Sequence, residues 1–207
     1  MLCLTRPTSD RWLAVALANL DAVLVDHAHC EMKAASNALS LAVRASETPG
    51  VVAELVALAE EELAHFRRVF GELESRGVSL GPPPPDGYAA ELRKTVRAHR
   101  DAALARQTSQ AIDALVDRLL VAALIEARSC ERFKLLSDAL RQRGPADLSL
   151  LYEELLAAEA RHFRTFVDLA RKVARPHEDW VEARLREVAL LEGEVASRLE
   201  GAPAIHG

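Results

Sequence analysis

The sequence predicts an all-α protein whose long helices pair into two hairpins, and three observations carry that prediction. Half of the 207 residues are hydrophobic but only 4% are aromatic, with Ala and Leu supplying most of the apolar count. Those two, with Glu and Arg, are strong helix formers, while the β-branched and aromatic residues that suit strands are sparse. Apolar residues also recur at helical period over stretches of about 30 residues, well above the usual helix length of about 11 or 12. Finally, the one segment that resists helix, Gly81-Pro82-Pro83-Pro84-Pro85-Asp86-Gly87, falls between two such pairs. Proline there removes a donor and clashes with the preceding turn.

The elements follow in order. The first helix is expected from the N-cap candidates Ser9 and Asp10 to about Ala45. Thr48 and Pro49 supply an N-cap followed by proline at the first helical position, opening a second helix that stops at Gly77. The polyproline segment reads as a stiff, extended crossover. The linker as a whole covers about 78–108, with a short helix around Ala89–Ala98. A third long helix runs from about Ser109 to Arg143 and ends at Gly144-Pro145. The fourth occupies about Leu148 to Ala174. Pro176 opens an additional C-terminal helix, about 176–199, and Gly201–Gly207 reads as a poorly ordered tail. A chain of this length suits one well-filled core, so a single domain over 1–207 is expected. Two hairpins joined by one long crossover is the connectivity of a ferritin-like four-helix bundle.

Bulk properties exclude several classes. A formal net charge of −5 argues against coating nucleic acid by bulk electrostatics, though it leaves room for a local basic patch. Cys3, Cys30 and Cys130 are an odd count without metal-ligand spacing, so neither a disulfide framework nor a zinc ribbon is expected. No apolar run approaches the roughly 20 residues of a membrane span, and the N-terminus lacks a signal-peptide pattern. The expected compartment is the cytoplasm, with no membrane association.

The chemistry lies in an arrangement that each hairpin repeats. Glu31 lies on the first helix and Glu62-Leu63-Ala64-His65 on the second; Glu126 lies on the third and Glu159-Ala160-Arg161-His162 on the fourth. From Glu31 to the turn near Glu47 is 16 residues, and from there to Glu62 is 15. From Glu126 to the turn near Arg143 is 17, and back to Glu159 is 16. Every residue rises about 1.5 Å, so in each hairpin the lone Glu and the Glu-x-x-His stand at nearly one height.

The faces agree as well. Glu31 shares a stripe with Leu24, Ala28, Ala35 and Ala38, and Glu62 and His65 share one with Leu55, Leu58, Ala59, Phe66 and Val69. Glu126 aligns with Leu119, Ala122, Ala123 and Phe133, and Glu159 with Leu155, His162, Phe163 and Phe166. These stripes have helical period and face a core. A carboxylate inside one carries a large desolvation penalty unless paired or metal-bound.

A single Glu-x-x-His is weak, since 20 Glu and 7 His in this chain give about 0.7 by chance and such pairs usually face solvent. Two copies, each matched to an internal Glu at equal height, point to one site. A Glu from each of two helices plus Glu-x-x-His from each of the other two is the di-iron and di-manganese pattern of ferritin-like proteins. Zinc prefers four ligands rich in Cys or His. Glu60 and Glu61 precede Glu62, and register favours Glu62 as the inward residue.

Other residues flank the set. His27, one turn before Glu31, is placed to hydrogen-bond it; a satisfied core histidine is the alternative. Arg128, Glu131, Arg132 and Arg161 flank the ligands and are candidates for supporting ion pairs; surface pairing is the alternative. Cys30 and Cys130 read as small buried residues. Asp26 and His29 repeat an acid-x-x-His spacing but point away from the Glu31 stripe.

Beyond the metal pattern, Val25-Asp26-His27-Ala28-His29-Cys30-Glu31-Met32-Lys33-Ala34-Ala35-Ser36 and Leu119-Leu120-Val121-Ala122-Ala123-Leu124-Ile125-Glu126-Ala127-Arg128-Ser129-Cys130-Glu131-Arg132-Phe133 are distinctive. With Glu61-Glu62-Leu63-Ala64-His65-Phe66 and Glu159-Ala160-Arg161-His162-Phe163, they resemble the bacterial tRNA 2-methylthio-isopentenyl-adenosine hydroxylase family (MiaE). The resemblance runs from about Asn19 to the C-terminal helix. It implies a non-haem di-iron monooxygenase, with two iron ions (Fe2+/Fe3+) and O2 as co-substrate, that hydroxylates the isopentenyl group beside the tRNA anticodon. Glu31, Glu62, His65, Glu126, Glu159 and His162 match the family's ligand positions. The chain departs from the family in a longer stretch over Val96–Gln110 and a shorter tail.

The resemblance also implies a tRNA substrate and, since nothing here resembles a flavin or nicotinamide fold, a separate reductase. Arg93, Lys94, Arg97, His99, Arg100 and Arg106 form the main basic concentration, and phosphate contact is expected there; an ordinary solvated helix is the alternative. Other readings stay open on the ligands alone: a quinone or lipid hydroxylase, an iron-storage or peroxidase protein, a metal-free helical module, or manganese in one site.

Overall fold

The computed structural model describes residues 2–84, 87–102, 108–199 and 202–205. Among them are seven helices and no strand: α1 (Asp10–Ala18), α2 (Leu20–Arg44), α3 (Pro49–Ser75), α4 (Gly87–Ala102), α5 (Gln110–Arg143), α6 (Ala146–Ala174) and α7 (Glu178–Arg198). The chain falls into two compact units, one of Met1–Pro7 with Tyr88–Arg198 and one of Thr8–Gly87 with Leu199–Gly207.

In the unit that contains α1 to α3, the single helix expected from Ser9 to Ala45 is two helices, bent by 103°. The break is at Asn19, whose backbone leaves the helical region at φ −138°, ψ 45°. Its side-chain amide donates to the Val15 carbonyl at 2.8 Å, and its own N–H donates to Ala16 O. Asn thus offers the end of α1 an alternative to continuing the helix. Ser9 caps α1 as expected, its hydroxyl accepting from Trp12 N–H. Pro49 opens α3. The stop at Gly77 is a Schellman ending: Gly77 takes φ 67°, its N–H donates to Glu74 O at 3.0 Å, and Val78 N–H donates to Leu73 O at 2.9 Å.

The tail is not loose where it is described. Ala204 and Ile205 are buried. Trp12 Nε1 donates to Ala204 O at 2.9 Å, and Ile205 N–H donates to the Asp26 carboxylate at 2.6 Å. A buried indole N–H and a buried carboxylate each need a partner, and the tail supplies both. Gly201, His206 and Gly207 lie outside the described residues.

The other unit is built on the α5–α6 hairpin. Ser109 caps α5 by accepting from Ile112 N–H, and the helix ends at Gly144 before Pro145, as expected. Helix α4 is longer than expected and buries Tyr88, Ala89, Leu92 and Val96. Part of the long 96–110 stretch, residues 103–107, lies outside the described residues.

Polar bridges tie α4, α5 and α7 together. Tyr88 Oη donates to Glu192 at 2.7 Å. Arg184 forks onto Asp117 through Nε at 2.7 Å and Nη2 at 3.1 Å, while its Nη2 also donates to Val96 O at 3.3 Å. Arg128 forks onto Glu192 through Nε and Nη2, both at 2.9 Å, and reaches Arg6 O at 3.1 Å. Such bidentate guanidinium–carboxylate pairs fix geometry as well as charge.

The N-terminal segment lies against α7 at Gly193. Ala in a helix interior is normally favoured over Gly by about 1 kcal/mol. Here an added Cβ would collide with Thr5 Oγ1 and approach Arg6 Cγ to 3.1 Å, where Thr5 Oγ1 already donates to Ala189 O. Overpacking costs about 1–3 kcal/mol, so Gly193→Ala is expected to lower the thermal midpoint rather than raise it. An unchanged or higher midpoint in a melting curve would refute the close approach.

Candidate metal centre

Each unit carries one half of the constellation on its own hairpin. On α2 and α3, the predicted stripe residues Leu24, Ala28, Ala35 and Ala38 are buried with Glu31, and Leu55, Leu58, Ala59 and Val69 with Glu62 and His65. Phe66 is only half-buried; it stacks on Phe70 with centroids 5.6 Å apart. Glu60 and Glu61 are exposed, so the inward register belongs to Glu62. His65 Nδ1 stands 3.4 Å from Glu62 Oε2 and 3.7 Å from Glu31 Oε2. His27 Nε2 lies 2.7 Å from Glu31 Oε1, so the two oxygens of Glu31 serve different partners.

On α5 and α6, Leu119, Ala122, Ala123, Phe133, Leu155 and Phe166 are buried along with Glu126, Glu159 and His162, while Phe163 is half-buried. His162 Nδ1 lies 3.2 Å from Glu159 Oε2. Cys130 reports on the field between these helices. Burial pushes its thiol far above the ordinary range, and the Glu159 and Glu126 carboxylates push it further. The small buried residue expected at this position is what the structure shows.

None of the six side-chain-bearing residues is more than 7% exposed. Glu62, His65, Glu159 and His162 in particular are buried residues of types that hold metal ions. Taking a carboxylate out of water costs several kcal/mol even after relaxation. Four of them on core-facing stripes, interleaved with Ala and Leu, make a costly arrangement for packing alone. The donor set, carboxylate oxygen with imidazole nitrogen and no thiolate, suits iron or manganese better than a structural zinc.

The flanking residues divide. Arg128 and Arg132 are buried, and Arg128 donates to Glu192 and Glu131. Arg161 is exposed and donates to Ala157 O one turn back. Asp26 and His29 point elsewhere, as expected: Asp26 holds the tail, and His29 Nε2 lies 3.3 Å from Leu80 O. Glu192, fully buried, is absent from the sequence reading although Val188, Val195 and Ala196 share its stripe on α7. It carries the same signal as Glu31, a carboxylate in an apolar stripe. Arg93, Lys94, Arg97 and Arg100 line an open groove of about 360 Å³, to which α5 contributes Asp117 and Arg118. Arg106 lies outside the described residues.

Comparison with known proteins shows the family. The family described as tRNA-(MS[2]IO[6]A)-hydroxylase (MiaE) matches residues 1–207. A Pseudomonas putida protein named tRNA 2-(methylsulfanyl)-N(6)-isopentenyladenosine(37) hydroxylase is 41% identical over 164 residues, 79% of this chain and 73% of that protein. A Salmonella typhimurium protein of the same name is 29% identical over 238 aligned positions, 91% of this chain and 82% of that one. Among solved structures, a Synechococcus protein described as having aldehyde deformylating oxygenase activity superposes with a TM-score of 0.82 at 37% identity, covering 99% of this chain and 95% of the other. The fold class is all-α and ferritin-like, with two helical hairpins and an added C-terminal helix. A match along its whole length and a relative at 41% identity place the chain in the MiaE family of tRNA hydroxylases.

Proposed function

We propose that this chain is a non-haem di-iron monooxygenase that hydroxylates the isopentenyl side chain of 2-methylthio-isopentenyl-adenosine next to the anticodon of tRNA. One observation carries the reading: each hairpin buries the same Glu plus Glu-x-x-His set in an apolar stripe, in a chain whose relatives are named for this reaction. The whole chain then acts as a single ferritin-like domain. Glu31, Glu62, His65, Glu126, Glu159 and His162 would hold two iron ions, whose positive charge would offset that of the four carboxylates.

Iron held there would supply activation of O2 toward an unactivated C–H bond. The reaction balances as substrate C–H plus O2, two electrons and two protons giving C–OH and water. A separate reductase supplies the electrons. The protein's part is placement and exclusion. His27, hydrogen-bonded to Glu31 Oε1, fixes the orientation of that carboxylate, the role that outer partners of metal ligands play. The Ala and Leu residues of the four stripes keep water from the site, which favours productive oxidation over side reactions. No single helix among the described residues is long and apolar enough to cross a membrane, in keeping with a tRNA-modifying enzyme of the cytoplasm.

The test is a nucleoside assay. Iron-loaded protein, reductant, O2 and tRNA bearing the modified adenosine should yield, after digestion, a nucleoside heavier by one oxygen atom. The Synechococcus structure makes an aldehyde the informative control substrate. Conversion of the aldehyde with no change in the tRNA would replace the proposed substrate while leaving the metal centre in place.

A further inference from the structure

We propose that the groove along α4 and α5 is the cradle for the phosphodiester backbone of the RNA, and that Arg118 of α5 completes the set begun on α4. The inference rests on the reading of tRNA as substrate and adds where, and through which groups, the strand is held.

The groove concentrates charge that the chain as a whole lacks. Against a net charge of −5, five cationic side chains, Arg93, Lys94, Arg97, Arg100 and Arg118, line one concavity. Its acidic lining residue, Asp117, is engaged from behind by the Arg184 fork at 2.7 and 3.1 Å. Asp117 also takes Arg100 Nη1 at 3.3 Å, so Arg100 is held in position. Arg93, Lys94, Arg97 and Arg118 are exposed.

Spacing and residue type favour a nucleic-acid strand. Arg93, Arg97 and Arg100 recur at i, i+4 and i+7, one face of a helix. They step about 6 and then about 4.5 Å along its axis. That is a total of about 10.5 Å of helix presenting cations on one side. Four of the five cations are Arg, whose planar fork matches phosphate oxygens where Lys offers only a point charge.

The location suits anchoring. Arg118 precedes Glu126 by eight residues on the same helix. It therefore stands about 12 Å along α5 and about 80° around it from that carboxylate. A strand held by Arg118 keeps a fixed offset from a helix of the metal centre. The cradle contacts backbone and carries no base readout, so it positions without specifying sequence.

The experiment is a binding titration of an anticodon stem-loop RNA by fluorescence anisotropy across a range of salt. The variants are the triple reversal Arg93→Glu/Arg97→Glu/Arg118→Glu and the neutral triple Arg93→Gln/Arg97→Gln/Arg118→Gln. Circular dichroism and iron content verify that both are folded. Affinity should fall at least tenfold in the reversal. In the neutral triple, the slope of log K against log salt should flatten by about 2, three contacts at roughly 0.7 each.

Unchanged affinity and slope in both folded variants would overturn the proposal. So would displacement of the RNA by inorganic phosphate at matched ionic strength, which would make this a site for the free anion. Normal RNA binding with lost reduction by the reductase would assign the groove to an acidic protein and overturn it too. Failure of the wild-type chain to hydroxylate tRNA would count against the function, whereas affinity and salt slope read the groove independently of turnover.

Discussion

Glu126→Ala is expected to abolish hydroxylation of modified tRNA and to lower bound iron, with helical content retained. The carboxylate is buried on an apolar stripe. Loss of a partner one shell further out already costs about 10–100-fold in metal affinity or activity, so removal of a ligand should exceed about 100-fold. Elemental analysis and the nucleoside assay read the two effects, and retained iron with retained turnover would remove Glu126 from the centre.

A companion variant separates a metal site from a structural network. Glu62→Gln keeps shape while removing a charge from a residue only 1% exposed. In the metal-free chain that relieves a desolvation cost, so the variant should be as stable as the parent or more stable, by up to a few kcal/mol. With iron present the order should reverse. If Glu62→Gln instead melts lower without metal, its carboxylate holds the fold rather than an ion.

Glu192→Ala should give a large loss of stability. Its carboxylate is fully buried and accepts from both Arg128 and Tyr88. Removing it leaves a 1%-exposed guanidinium without its bidentate partner. Breaking a buried pair from one side costs about 3–5 kcal/mol. At about 2–4 °C per kcal/mol for a chain of this size, the midpoint should drop by about 10 °C. Glu192→Met/Arg128→Leu, which removes both charges, should recover most of that loss. If the double variant melts as low as the single one, packing rather than the lost bidentate pairing is responsible.

The same carboxyl has a pH signature. Burial lifts its pKa above the ordinary value by more than Arg128 and Tyr88 lower it. The native state therefore binds this proton more tightly than the unfolded chain. The group's contribution falls as pH rises from about 4.5, the ordinary value, through the raised one. Glu192→Gln should remove that slope from a stability–pH curve, and an identical slope would show that another group produces it.

What the sequence made legible was local. Helical periodicity, Pro49 at an N1 position, the Gly77 stop and the Gly144-Pro145 turn act within a few residues of the helix ends they define, and the structure has them there. The inward register of Glu31, Glu62, Glu126 and Glu159 was legible for the same reason. A charge in an apolar stripe is visible along one helix, and the residue count to each turn sets its height. The bend at Asn19 was local too, but its signal was weak, a single Asn in an Ala-rich run.

Tertiary structure alone decided which partner each buried polar group takes. Arg128 flanks Glu126 in sequence yet forks onto Glu192, 64 residues away. Asp26 resembles part of a ligand motif yet holds the backbone of Ile205. Arg161 sits inside a Glu-x-x-His motif yet faces solvent. A guanidinium or carboxylate must be satisfied once buried, but any complementary group within reach will satisfy it, and reach is a property of the packed chain. The pattern of inward Glu and His was therefore written in the sequence, while the polar bridges that brace their helices came only from the fold.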